Sequence, residues 1–349
     1  LIKHIQQGWG HFNHEHGEFV DLVPAQQWVE GESWYLGTAD AVYQSLDIIQ
    51  SHGPEYVLIL AGDHIYNMDY GEMLGSHVAS GADFTIACNT VARSEARAYG
   101  VMEVDQDFRV VSFDEKPDEP KPMPGESDKS LVSMGIYVFS MDYLRKSLER
   151  DAEVKDSDHD FGHDLIPYAI EKGHKINAYA FENPASGARN YWRDVGTIEA
   201  YYQANMELLS EDPPLQLDDN DWPVFTYQPQ APPARFISSD DRNRLENVLV
   251  SGGCKVSHSS LTNSILFSNV SVERDCQING SLLLPDCHVG EGCRLTNVIL
   301  DNGCRLEPGT VIGEDPEEDA KRYYVTENGI TLVTPEMLGQ SLFLGNPNI

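Results

Sequence analysis

Four short stretches set polar, chemically capable residues at the ends of apolar segments. In YVLILAGDHIY (Tyr56 to Tyr66) a run of apolar residues passes into Gly-Asp-His, with Asp63 just beyond it. Such a run, bounded by turn residues, predicts a strand buried on both faces, as in a parallel sheet. Ligands bind outside the carboxyl ends of strands in open α/β sheets, and Asp63 stands there. In FDEKP (Phe113 to Pro117), Pro117 ends a strand and leaves Glu115 and Lys116 at its lip, where a lysine is a point charge for a phosphate. YWRDVGT (Tyr191 to Thr197) sets Asp194 just before a helix capped by Thr197. In WYLGTADAV (Trp34 to Val42), Gly37 and Thr38 make a turn into a helix over ADAVYQSLDII, and a helix N-terminus with free amides suits a phosphate or polar ligand. Each has a plainer reading: a turn former at Asp63, a solvated charge pair at Glu115 and Lys116, a cap at Asp194, and an ordinary helix start at Gly37 and Thr38. The cluster His11, His14 and His16 lacks a carboxylate-rich surrounding and reads as a solvated loop rather than a metal site.

The elements that must position these residues alternate. DFTIACNTV, GVMEVD, RVVSFDEKP and MGIYVFS read as strands, Asp69 caps a helix running to about Ser80, and TIEAYYQANMELL forms another. This predicts an α/β sheet domain over residues 1–210. A Pro- and Asp-rich stretch, DPPLQLDDNDWPVFTYQPQAPPAR, marks a linker, bounded at 211–244. Beyond it, Leu249, Leu266, Leu283 and Leu300 recur every 17 residues, as do Leu261, Ile278, Leu295 and Ile312, and Val272, Val289 and Leu306. Columns five or six residues apart within a 17-residue coil predict a parallel β-helix over 245–349, its repeat fading after Gly313 into a terminal cap. The cysteines follow the period, Cys276 to Cys293 and Cys287 to Cys304, as stacked small core residues would.

Composition narrows the function. A formal charge of -32 excludes nucleic acid and acidic membrane surfaces as partners, since both need basic patches. No apolar run is long enough to span a membrane. Six cysteines without a CxxC pair suit a reduced, cytoplasmic setting. No Lys or Arg lies between Lys3 and Arg93, so phosphates handled there need charge from a metal or from other segments.

Taken together, WYLGTADAV, LAGDHIY, FDEKP, SMGIYVF, HDFGHDLIP and YWRDVGT occur in the order found in the glucose-1-phosphate adenylyltransferase (ADP-glucose pyrophosphorylase) family, bacterial type, and the chain resembles that family over nearly its whole length. The resemblance implies a Rossmann-like nucleotidyltransferase mixed sheet followed by a left-handed parallel β-helix. It implies transfer of the adenylyl group of ATP to glucose 1-phosphate for glycogen or α-glucan synthesis, with Mg²⁺ as cofactor, an allosteric effector and a homotetramer. Carried over by motif, Asp63 and Asp194 would ligate Mg²⁺. Tyr35, Gly100, Glu115, Lys116 and Ser133 would form the sugar-phosphate pocket. His163 stands where many relatives have lysine. The family's glycine-rich nucleotide loop lies upstream of the WYLGTADAV stretch and the chain begins after it, so these 349 residues are expected to be N-terminally incomplete and inactive. The alternatives are a nucleotidyltransferase for another sugar or base and a non-catalytic regulatory subunit, which intact Asp63, Lys116 and Asp194 oppose. An acyltransferase would rest on the β-helix alone, with His258 and His288 lacking obvious partners in sequence.

Overall fold

The computed structural model describes residues 2–24, 34–123, 125–181, 191–224, 226–238 and 244–340. The chain divides into two compact units. One comprises residues 21–192; the other joins residues 1–20, which carry α1 (Ile2–Gly8), to residues 193–349.

The 21–192 unit begins with two short helices, α2 (Thr38–Gln44) and α3 (Leu46–Ser51). The sequence suggests one continuous helix here. It breaks at Ser45, whose hydroxyl donates back to Ala41 O (3.0 Å), the kind of local bond by which serine competes with helix propagation. Next come β1 (Tyr56–Ile59), β2 (His64–Tyr66), α4 (Tyr70–Ser80), β3 (Phe84–Ala92), β4 (Gly100–Val104) and β5 (Val110–Glu115). After them follow β6 (Lys129–Ser140), α5 (Met141–Ala152), α6 (Ile166–Glu171) and β7 (Ile176–Ala180). Asp69 caps α4 by accepting from Gly71 N (2.8 Å), and Gly81 closes it in the left-handed region at φ 57°.

The sheet runs β5-β4-β6-β3-β7, with β1 added to β6. It is mixed: β3 and β7 are parallel, and the remaining pairings are antiparallel. This corrects one expectation. β1 lies antiparallel to β6, is half-buried along its length and stops at Ile59, four residues before Asp63. The strands buried on both faces are β3 and β6. Opposite Ala87 the ladder slips, so that Cys88 pairs with Ser133 but Ile86 pairs with Tyr137. Gly135, at φ 66°, sits in this bulge, and a bulge re-aims the side chains beside it.

The division between units falls inside β8 (Trp192–Asp194). The second unit continues with α7 (Ile198–Glu207), capped by Thr197 through Ala200 N (3.1 Å). Then β9 (Arg235–Ile237), β10 (Arg244–Val250), β11 (Lys255–Ser257) and β12 (Ser260–Leu266) open a stack of short parallel strands, a β-solenoid that continues to Thr331–Val333. Register follows the repeat: Leu261 sits on Ile278, Leu295 and Ile312 in turn, and Val256 on Val272, Val289 and Leu306. One column needs correction. Val250, not Leu249, pairs with Leu266 above Leu283 and Leu300, because the first coil is one residue shorter. A one-residue slip reverses the facing of every side chain, and Leu249 is accordingly 40% exposed.

The corners also repeat. His258 and Asp275 form one column at positive φ, Asn269 and Asp286 another, and Asn263 and Asn297 a third. Asn and Asp are the non-glycine residues that tolerate this region best. The five solenoid cysteines are buried and unpaired, their thiols donating to carbonyls of adjacent coils, as Cys276 does to Gly290 O (3.1 Å). Within the same unit, α7 packs Ile198, Tyr201, Tyr202 and Met206 against Ile265, Leu282 and Ile299, and Tyr202 OH donates to Gly280 O (2.6 Å).

A candidate sugar-phosphate cleft

At the end of β5 lies a cleft of about 410 Å³ lined by Phe113, Asp114, Glu115, Pro117, Gly162, His163 and Pro167. Two glycines shape it. A Cβ at Gly100 would stand 2.3 Å from Phe113 Cζ and 2.7 Å from Glu115 Oε2, and a Cβ at Gly162 would stand 2.9 Å from the same oxygen. Glu115 Oε2 is thus seated between two backbones that only glycine leaves open. Although the residue as a whole is exposed, this seat strips water from the carboxylate and raises its pKa. Asp160 pushes the same way, while Lys116 and His163 oppose it. Lys116 follows with φ 46°, its N–H donating to Tyr99 O (3.1 Å). A non-glycine residue held in that region marks a position over-determined by its surroundings.

Ser133 is nearly buried on β6, and its Oγ accepts from Gly135 N (3.2 Å) across the bulge. Tyr137 contacts Ser133 through its hydroxyl, stacks on Phe161 (5.4 Å between centroids) and is fully enclosed, which holds its phenol protonated. Asp160 completes the group. Its Oδ1 accepts from Gly162 N (2.8 Å) and His163 N (3.0 Å), and its Oδ2 accepts from Thr38 Oγ1 (2.8 Å). His163 remains well exposed, its Nδ1 3.3 Å from Asp158 and 3.6 Å from Asp164.

The geometry therefore brings Gly100, Glu115, Lys116 and Ser133 into one neighbourhood. Tyr35 is half-buried on the approach to α2, whose Thr38 ties that helix to Asp160. Two amides near the start of α2 are taken within the protein, which the sequence does not predict: Ala39 N and Asp40 N both donate to His159 O (2.8 and 3.3 Å). Sequence reasoning missed Tyr137 and Asp160, although both lie within the quoted motifs SMGIYVF and HDFG. Only the bulge and the turn of chain after Asp160 reveal their connection.

Asp63 stands in the loop between β1 and β2 with its side chain 60% exposed, 3.5 Å from His64 Nε2. The His64 ring lies edge-on to Trp192 (5.2 Å), and a Cβ on Gly135 would come within 3.3 Å of it. Asp194 follows Trp192 by two residues in β8, the spacing that returns a side chain to the same strand face. Its Oδ1 accepts from Gly196 N (2.7 Å) ahead of the α7 cap. Both carboxylates offer the hard oxygen donors that suit Mg²⁺.

Comparison with known proteins finds two families along the chain. The Nucleotidyl transferase family matches residues 3–211, and the family described as GlmU-like, C-terminal hexapeptide matches 232–333. The chain is 52% identical to glucose-1-phosphate adenylyltransferase of Nitrosococcus oceani over 97% of its own length and 81% of that protein's. It is likewise 52% identical to glucose-1-phosphate adenylyltransferase 2 of Alkalilimnicola ehrlichii and 51% identical to the enzyme of Methylococcus capsulatus, each over 98% of this chain and 81% of the relative. Sheet, solenoid and relatives converge, and the chain belongs to the glucose-1-phosphate adenylyltransferase family of nucleotidyltransferase enzymes.

Proposed function

We propose that this enzyme joins the adenylyl group of ATP to glucose 1-phosphate, releasing pyrophosphate and ADP-glucose. The observation that carries the reading is Glu115 Oε2 seated between Gly100 and Gly162 at the head of a cleft, with Lys116 beside it. A carboxylate in that seat accepts hydrogen bonds from sugar hydroxyls, and the Lys116 ammonium neutralises the sugar phosphate. Ser133 and Tyr137 lie behind this seat in the wall of the site, each buried and in contact with the other. The attacking phosphate needs no side-chain base, because a phosphate monoester is largely dianionic near neutral pH, its second pKa being about 6. Its oxygen forms the new bond to the α-phosphorus of ATP as the bond to the leaving pyrophosphate breaks.

Asp63 and Asp194 are the proposed Mg²⁺ ligands, an assignment supported by exposed oxygen donors at Asp63 and by the position of Asp194 in β8. When bound, Mg²⁺ supplies charge neutralisation for the triphosphate and the departing pyrophosphate. The same reading takes the enzyme as an allosterically regulated homotetramer in the cytoplasm, a setting with which buried solenoid cysteines outside any disulfide agree. Among the described residues, no helix is long and apolar enough to cross a membrane. A nucleotide and sugar panel tests the reading: ATP with glucose 1-phosphate should be the preferred pair, and preference for GTP with mannose 1-phosphate would sink it.

A further inference from the structure

Outside the cleft, Asp151 is a buried carboxylate with no part in the chemistry just described. Asp151 is 2% exposed in the last turn of α5, where the negative end of the helix dipole disfavours a carboxylate. Its partners all belong to one stretch of chain. Oδ1 accepts from Ser157 Oγ (3.0 Å), Oδ2 pairs with His159 Nδ1 (2.8 Å), and Arg150 Nη2 stands 3.7 Å away. Ser157 Oγ in turn accepts from His159 N (3.0 Å). His159 is thereby held by both ring and backbone at φ 53°, a conformation that costs a histidine strain. Two things depend on it. Its carbonyl receives the first amides of α2, and its successor Asp160 aims Gly162 and His163 into the cleft. Gly37 allows the close approach, since a Cβ there would fall 2.4 Å from His159 O.

We propose that Asp151, acting through His159, is a positioning residue for the sugar-phosphate end of the cleft, fixing the 157–163 loop so that Gly162 and His163 meet Glu115 correctly. A buried carboxylate at a helix C-terminus is a poor choice for stability alone. Its value is the single conformation that it imposes. The inference rests on the reading of the cleft given above.

The test is Asp151→Asn in the full-length enzyme, an isosteric change that removes the charge. A misplacement of about 1 Å at a contact can cost on the order of a hundredfold, and a partial loosening of the loop should raise KM for glucose 1-phosphate by about tenfold. KM for ATP should stay within about twofold, because the loop meets the sugar end. Should Asp151→Asn fail to accumulate as folded protein, Ser157→Ala weakens the same clamp and should move the same KM by a smaller factor. A lowered melting temperature with both KM values unchanged, or an equal rise in both, would overturn the proposal. If the unaltered enzyme does not use glucose 1-phosphate at all, the reading of the cleft fails instead, and the two failures are told apart.

Discussion

The solenoid and the cleft are stabilised by opposite strategies. In the solenoid the inner columns repeat from coil to coil: Leu266, Leu283 and Leu300 stack in register, and serine hydroxyls bridge coils, as Ser264 Oγ does in accepting from Ser281 N (3.1 Å). Its energy is a sum of near-identical local terms. The cleft draws Glu115, Gly162 and His163 from segments far apart in sequence, and it keeps Glu115 where loss of water raises its carboxyl pKa. One region is built by repetition of one coil, the other by the meeting of segments distant in sequence.

That contrast breaks cleanly under mutation. The largest effect should come from Asp63→Asn and Asp194→Asn, each lowering turnover on the order of a hundredfold or more with unchanged folding, since a metal ligand is lost from a charge-dependent step. Steady-state rates at saturating Mg²⁺ with circular dichroism as control decide it, and unaltered turnover would remove the metal assignment. In the solenoid, Leu283→Ala should cost about 2–5 kcal/mol of stability, read by denaturant titration, while leaving both KM values in place. A large KM change there would mean that the two regions are not separable.

How much of this was legible in the sequence follows the same division. The columns of the solenoid could be read directly because its neighbours in space are 17 residues apart in sequence. The misplaced member, Leu249, fails where the first coil is shorter, since Val250 takes the inward place. In the sheet unit the strands themselves could be read, but the order could not, and β1 turned out antiparallel to β6. Glu115 and Lys116 stood out as charges before a proline. Their seat did not, because it depends on Gly100 and Gly162 approaching from other segments. The bulge at Gly135 leaves no periodic trace, so the link from Ser133 to Tyr137 is visible only in three dimensions.

Two smaller effects sharpen the account of the cleft. Lys116→Ala should raise KM for glucose 1-phosphate by roughly tenfold to a hundredfold, the value of a charge-assisted contact of about 1.5–3 kcal/mol, with little change for ATP. Equal losses for both substrates in initial-rate kinetics would make Lys116 structural. Glu115 predicts a pH effect of definite sign. Its folded pKa is raised by burial, so its contribution to stability is present in full below the ordinary value of 4.5 and is lost as pH rises through the folded value. Glu115→Gln should therefore keep or slightly raise the melting temperature at neutral pH while weakening glucose 1-phosphate. A fall in melting temperature at pH 7 would show that the ionised carboxylate stabilises the fold.

The most direct test of the cleft as the sugar-phosphate site is isotope exchange between labelled pyrophosphate and ATP in the full-length enzyme. Exchange requires that the adenylyl group pass reversibly to the acceptor. The account predicts label in ATP only when glucose 1-phosphate is present, and a Lys116→Ala enzyme that needs far more of it to reach the same rate. Exchange in the absence of any sugar phosphate, or an identical glucose 1-phosphate dependence in the Lys116→Ala enzyme, would contradict it.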